Sequence, residues 1–209
     1  MSVPITTHTP TQFFGPMTMA DLVPDVDTDL LSAQCTIVLD ISTARCIAAN
    51  VIPALGAGGG ILASDSDPSY QRVNGAGGDD CIRLTWAATS VIEIQFPPTP
   101  LPPDLDPAEN LVVHFMVSRD GTTDDCKAAV LAYETSVGAY AADAEMGGEW
   151  AALDGAAEEI QERTVTLDAD DIAGHPSVIT IAVVPAAHGT DTLCLYGGWF
   201  EYTRMLRAS

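Results

Sequence analysis

Histidines are the side chains of this sequence best suited to acid–base or zinc chemistry at neutral pH. The four are His8, His114, His175 and His188, and none lies within five residues of another. The close spacing typical of zinc ligands is therefore absent. His114 stands alone in the apolar run 111–117, which favours a hydrogen-bonded core or interface histidine over a catalytic base.

Acidic residues offer a second kind of chemistry, and the chain holds 29 of them. Loop aspartates suit calcium, yet no cluster has the glycine and final glutamate of the helix–loop–helix calcium site. A pair of carboxylates for glycoside hydrolysis forms in space, and nothing in the sequence selects two acids from so many. The patterns GxSxG, HExxH and GxxxxGK[ST] are also missing. We therefore predict no catalytic residue, no metal and no cofactor.

Aromatic residues are the remaining candidates, because their rings pack at interfaces and against sugars. The sugar-binding candidates are Trp86, Trp150, Trp199, Tyr196 and Tyr202. Trp86 has the inward parity of an alternating segment and is expected in the core. Trp150 follows two glycines in "MGGEW", which favours a surface loop and a glycan contact. Phe200 and Tyr202 share one parity near the C-terminus and Trp199 has the other, so either face could point inward.

Charge and cysteine usage exclude several classes of partner. The net charge of −21, from 29 acids and 8 bases, repels phosphate backbones and anionic lipids, so we expect no nucleic acid and no membrane partner. Five cysteines without a CxxC pair favour synthesis in a reducing cytosol. No signal peptide is recognisable, and no apolar run approaches the length of a membrane span.

Residues 1–32 differ from the rest of the chain. They lack a sustained hydrophobic period, carry several prolines, and include the apolar residues Phe13, Phe14, Met17 and Met19. We predict an extended N-terminal arm that lies on another surface. The alternative is a segment that packs on its own domain.

Short alternating or apolar segments separated by turn residues fill residues 33–209. The expected strands cover 35–41, 45–52, 81–86, 91–96, 111–117, 128–135, 163–167 and 178–184. A closing strand follows, bent at Gly197 and Gly198. A short helix is expected within 151–161, and the proline-rich stretch 97–110 crosses one end of the fold. The predicted fold class is all-β, a jelly-roll-like β-sandwich with an extended N-terminal arm.

Three phrases within residues 91–205 carry a resemblance to a known group: "LPPDLD", "VVPAAHGTDTL" and "LYGGWFEYTR". This part of the chain resembles β-sandwich structural proteins of tailed phages. The resemblance implies a virion protein on the capsid surface, a decoration or cement protein that binds and stabilises the phage head. It also implies synthesis in the host cytoplasm, the major capsid protein as partner, and self-association as a homotrimer.

The virion hypothesis assigns contacts to two groups of residues. The arm residues Phe13, Phe14, Met17 and Met19 would contact the capsid or a neighbouring subunit. The expected subunit interface consists of His114, Met116, Trp199, Phe200 and Tyr202. The alternative is a carbohydrate-binding module of a phage fibre or tail that uses Trp150 and exposed tyrosines. No sequence feature favours a third hypothesis, an enzyme on the same fold.

Overall fold

The computed structural model describes residues 32–47, 67–74, 80–136, 145–172 and 176–205. These residues form strands and two short 3-10 turns, with no α-helix among them. None of their helical segments could cross a membrane. The strands are β1 Ser32–Leu39, β2 Arg45–Ile47, β3 Ser69–Asn74, β4 Asp80–Trp86, β5 Glu93–Gln95, β6 Thr99–Pro100, β7 Leu111–Arg119, β8 Ala128–Ser136, β9 Glu145–Glu149, β10 Gln161–Leu167, β11 Ser177–Pro185 and β12 Leu193–Met205.

The strands form two antiparallel sheets. The front sheet has the order β10-β7-β12-β4-β3, with β1 also paired to β12. The back sheet has the order β2-β5-β11-β8-β9, with β6 also paired to β11. Four strands of the front sheet, in the order β4-β12-β7-β10, pack against four strands of the back sheet, in the order β5-β11-β8-β9. This is the strand order of a jelly roll. The prediction of an all-β, jelly-roll-like sandwich is confirmed.

Strand β7 shows how the core separates from the outer face of the front sheet. Its residues Leu111, Val113, Phe115 and Val117 are buried between the sheets. The alternate residues face outward, and Met116 among them is 41% exposed. Burying each large apolar side chain contributes about 1.5–3 kcal/mol, so this alternation fixes which face of β7 points inward.

Strand β12 lies in the middle of the front sheet. It pairs with β7 along one side. Along the other side, its first residues pair with β4 and its later residues, from Gly198 onward, pair with β1. The register with β7 shifts between Leu195 and Gly197, which leaves Tyr196 as an extra residue in a β-bulge. The predicted irregularity of this strand is therefore confirmed, and it begins one residue before Gly197.

The burial of Phe200 shows which face of β12 points inward. Its side chain is fully buried in the core, and Tyr202 on the same face packs partly against the core. Trp199 lies on the outer face. Phe200 and Tyr202 were expected at a subunit interface, and for Phe200 this is wrong because its ring fills the space between the sheets.

Three local predictions are also wrong. Residues 151–160 form no helix, because Arg163 reaches back to the carbonyl oxygens of Ala151 and Ala152 and holds them in a loop. "MGGE" is strand β9 rather than a loop. Alternation also predicts that Ile82 points inward with Leu84 and Trp86, and Ile92 with Ile94 and Phe96, but Ile82 and Ile92 are exposed. Ile82 lies beyond the segment of β4 that pairs with β12, and Ile92 precedes β5.

Two loops at one end of the sandwich hold each other through a pair of aspartates. Asp124 Oδ2 accepts hydrogen bonds from the backbone N–H groups of Thr190 and Asp191, at 2.5 and 2.6 Å. Asp191 Oδ2 accepts from those of Thr123 and Asp124, at 2.7 and 2.9 Å. The hydrogen bonds from Asp191 and Thr190 lower the pKa of the Asp124 carboxyl. The loops before β8 and β12 are thereby fastened together.

Candidate ligand-binding groove

The centre of the outer face of the front sheet holds an aromatic pair. His114 on β7 and Trp199 on β12 are directly opposite in register. Their rings stack with centroids 4.9 Å apart and planes 9° from parallel. Side chains opposite one another in an antiparallel pair share a face and pack together, so the strand register itself builds this stack.

Two carboxylates flank the imidazole of His114. Its Nδ1 lies 2.6 Å from Glu162 Oε1 of β10, a hydrogen bond in which the imidazole donates. Its Nε2 lies 3.6 Å from Glu201 Oε2 of β12, which is beyond hydrogen-bonding distance. The Nε2 atom is buried and makes no hydrogen bond. The Glu162 contact fixes the orientation of the imidazole against Trp199.

A front groove of about 570 Å³ opens beside the aromatic pair. Its lining includes Val38, Asp40, Met116, Tyr196, Gly197 and Trp199. Val38 on β1 stands directly across from Trp199 and is 75% exposed. The groove therefore combines apolar walls, an indole ring and the carboxylate of Asp40. Hydrogen bonds from Ser42 lower the pKa of this carboxyl below its ordinary value.

The adjacent glycines Gly197 and Gly198 have different roles at the groove. A Cβ atom at Gly198 would lie 2.7 Å from Phe115 Cδ1 and 2.9 Å from the His114 carbonyl oxygen, so β7 requires a glycine there. A Cβ atom at Gly197 would meet nothing within 4 Å. Gly198 thus allows close strand packing, and Gly197 leaves open space where other residues would place a side chain.

Tyr196, the bulged residue, closes one end of the groove. Its hydroxyl accepts a hydrogen bond from Arg83 Nη1 at 3.1 Å and lies 3.0 Å from Ser118 Oγ. The guanidinium of Arg83 also lies 6.0 Å from the centre of the tyrosine ring. These contacts hold the tyrosine ring in a fixed position.

The structure brings together three of the five residues predicted for a subunit interface: His114, Met116 and Trp199. Phe200 and Tyr202 lie on the opposite face of β12. Tyr196, a sugar-binding candidate in the sequence, lines the same groove.

Trp150 is not on the surface, so its predicted glycan contact is wrong. Its side chain is 1% exposed. The indole N–H donates to the carbonyl oxygen of Cys126 at 3.4 Å, and the ring centroid lies 5.6 Å from that of Phe115. The physical reason is that Trp150 directly follows the last residue of β9, and its side chain points between the two sheets. Trp86, expected in the core, is fully buried there.

Other predicted site residues lie outside the described residues. These are the arm residues Phe13, Phe14, Met17 and Met19. The histidines His8 and His175 also lie outside the described residues. In the part of the chain that the structure describes, no three His, Cys, Asp or Glu side chains are grouped so that they could hold a metal ion.

Sequence reasoning missed Val38, Asp40, Glu162 and Glu201. The sequence contains a signal for Val38, because an apolar residue of outward parity in an alternating strand marks an exposed apolar site. Nothing in the sequence separates the two glutamates from the other acids. Their role depends on strand pairing: Glu162 is directly opposite Met116, and Glu201 is directly opposite Val112.

Comparison with known proteins gives no family assignment. No family model and no curated protein matches the chain. Among solved structures, a xylan-binding module, CBM15, is similar with 12% identity and a TM-score of 0.45, over 81% of this chain and 97% of that one. The C-terminal CBM6 of a marine laminarinase from Zobellia galactanivorans is similar with 10% identity and a TM-score of 0.41, over 63% and 86%.

A third similar structure is a family 11 carbohydrate-binding module from Clostridium thermocellum in complex with a β-1,3-1,4-mixed-linked tetrasaccharide. It has 10% identity and a TM-score of 0.38, over 89% of this chain and 96% of that one. At TM-scores and identities this low, the likeness carries no argument about what this chain binds.

Proposed function

We propose that this chain is a carbohydrate-binding module that holds a neutral glycan in the front groove and performs no catalysis. The observation that carries the proposal is the indole of Trp199, which lines an open groove and is stacked against the imidazole of His114. The fold itself does not decide the function, because jelly rolls serve in lectin domains and in viral capsids alike.

The apolar part of the groove suits the C–H face of a sugar ring. Trp199 is half-buried, and its ring is held in place by His114 on one side. Val38 and Met116 add exposed apolar surface. A rigid aromatic platform loses little conformational entropy when a ligand binds, so its contact area contributes efficiently to affinity.

The polar part of the groove suits hydroxyl groups rather than anions. Asp40 lines the groove, and Glu201 lies next to the His114 ring. Carboxylates accept hydrogen bonds from sugar hydroxyls but repel sulfate, phosphate and uronate groups. The net charge of −21 extends this repulsion over the whole molecule. A neutral glycan is therefore the expected ligand.

A glycan array followed by titration calorimetry tests the proposal. Neutral glycans should bind, and Trp199→Ala should weaken binding about tenfold, the equivalent of about 1.4 kcal/mol. Thr166→Ala, an exposed position on the outer face of β10, is the matched control and should bind like the wild type. Failure to bind any glycan, or unchanged affinity in Trp199→Ala, would contradict the proposal.

A second candidate function is the capsid-decorating homotrimer that the phage resemblance implies. The exposed apolar residues Val38 and Met116 favour it, because the same face would suit contact with another protein. The molecular mass in solution and co-sedimentation with phage heads discriminate between the two functions. A trimeric wild type that co-sediments with phage heads and binds no glycan would support decoration, and a monomeric wild type would contradict the trimer.

A further inference from the structure

Among the described residues, the front groove and two further depressions form a series in which neighbours share lining residues. A small depression of about 170 Å³ shares Val38, Leu39 and Asp40 with it. A third depression, of about 510 Å³, shares Thr43, Phe96 and Pro97 with the small one. Both larger depressions are within the roughly 300–1,000 Å³ typical of ligand pockets, and the small one lies between them.

The three depressions follow the chain from one sheet to the other. Strand β1 belongs to the front sheet and β2 to the back sheet, and the 3-10 turn at Ile41–Thr43 connects them. The third depression reaches Arg45 of β2 and Gln95 of β5, which are directly opposite in register. The surface between Trp199 and Arg45 therefore passes around the edge of the sandwich.

We propose that these depressions form one track for the interior of an extended neutral polysaccharide, which runs from Trp199 past Asp40 and Thr43 to Arg45 and Gln95. This inference rests on the proposed function. It specifies that the ligand is a chain that contacts both sheets, rather than a terminal sugar held on the front sheet alone.

The far end of the track offers the chemistry that a further sugar unit needs. Gln95 Nε2 donates to Glu93 Oε1 at 2.8 Å, and the amide oxygen of Gln95 supplies an acceptor for sugar hydroxyls. Arg45 Nη1 donates to the Ala44 carbonyl oxygen at 2.9 Å, and the guanidinium has further N–H donors. Thr180 adds a hydroxyl, and Pro97 and Pro98 add exposed apolar surface. The carboxylate of Glu93, which accepts from Gln95, offsets the positive charge of Arg45, so this end of the track carries no net charge that would favour an anionic chain.

The track is tested by calorimetry of the full chain. The ligands are soluble xylan and mixed-linkage β-glucan oligosaccharides in a length series, from single sugars to hexasaccharides. Affinity should increase with length beyond the disaccharide. The double variant Arg45→Ala with Gln95→Ala should lose about tenfold in affinity for hexasaccharides and nothing for disaccharides. Thr166→Ala, exposed on β10 and outside the lining of all three depressions, is the control and should behave like the wild type.

The outcomes separate this inference from the proposed function. Binding that is equal for short and long oligosaccharides, or a double variant that binds hexasaccharides like the wild type, overturns the track. If Trp199→Ala still weakens binding in that case, the front groove stands as the glycan site. If neither oligosaccharide series nor any glycan on the array binds, both proposals fail together. Circular dichroism and thermal unfolding of each variant confirm that it is folded.

Discussion

The imidazole of His114 determines the orientation of the Trp199 indole. The two residues are directly opposite across β7 and β12, and their ring planes differ by 9°. Glu162 holds the imidazole from the neighbouring strand β10. Side chains from the three adjacent strands β10, β7 and β12 thus hold the Trp199 indole in place beside the groove. The position of Trp199 should therefore depend on His114, which need not contact the ligand.

The first prediction concerns this dependence. Replacing His114 with alanine should free the indole, cost about 0.5–1.5 kcal/mol of stability, and weaken glycan binding although Trp199 is still present. His114→Phe keeps a flat ring in the stack and should retain most of the affinity. Calorimetry and tryptophan fluorescence measure the two effects. A phenylalanine variant as weak as the alanine variant would show that His114 contacts the ligand directly.

The second prediction concerns the two adjacent glycines. Gly198→Ala should destabilise the fold by about 1–3 kcal/mol, because its methyl group would collide with Phe115 and the His114 carbonyl. Gly197→Ala should leave stability unchanged, because its methyl group enters open space. Gly197→Leu should also fold but fill the groove, so glycan affinity should fall about tenfold or more. Urea unfolding and calorimetry measure these differences, and equal destabilisation by both alanine variants would contradict the packing described.

The third prediction is a pH dependence that arises from Asp124. Its pKa in the folded protein is below the ordinary value of 3.8, because backbone N–H groups of Asp191 and Thr190 donate to the carboxylate. Its stabilising contribution is therefore complete above that ordinary value and is lost as the pH falls through the lowered pKa. Asp124→Asn should lower the melting temperature at neutral pH and flatten the decrease in stability below about pH 4. Glu109→Gln, an exposed loop position, is the control and should change neither.

The fourth prediction concerns Trp150. The indole of Trp150 is buried against Phe115 and donates a hydrogen bond to the Cys126 carbonyl oxygen, so Trp150→Ala should lower the free energy of unfolding by about 3–5 kcal/mol. Trp150→Phe should cost less. At temperatures where the variants are folded, their glycan affinity should equal that of the wild type. Lost glycan binding with unchanged stability would instead indicate a surface role for this residue.

The sequence was sufficient for the fold class because alternation is a local signal. Leu84 and Trp86, or Ile94 and Phe96, show their inward face without reference to any partner strand. The prediction for Trp150 is wrong because the glycines before it suggest a flexible surface loop, whereas they belong to strand β9. A Cβ atom at Gly147 would lie 2.3 Å from the Val130 carbonyl oxygen, so this glycine allows β8 and β9 to approach closely.

The candidate site depends on information that is not local. His114 and Trp199 were each recognisable as unusual, but their contact follows from the pairing of β7 with β12, which alternation does not specify. The same holds for Glu162, whose position beside His114 depends on the register of β10. The bulge at Tyr196 shifts one end of β12 by a residue, and a shift of this kind decides which side chains share a face.

The pairing of Ser32 with Met205 has a consequence for how the sandwich can be attached to other structures. These residues begin β1 and end β12, so the chain enters and leaves the sheet side by side. The front groove lies at the other end of the same two strands, next to Leu39 and Gly198. A tether fused at either point would present the groove in the same direction. A short linker between Ser32 and Met205 would also allow new termini to be opened in a surface loop, which makes this sandwich a candidate for circular permutation.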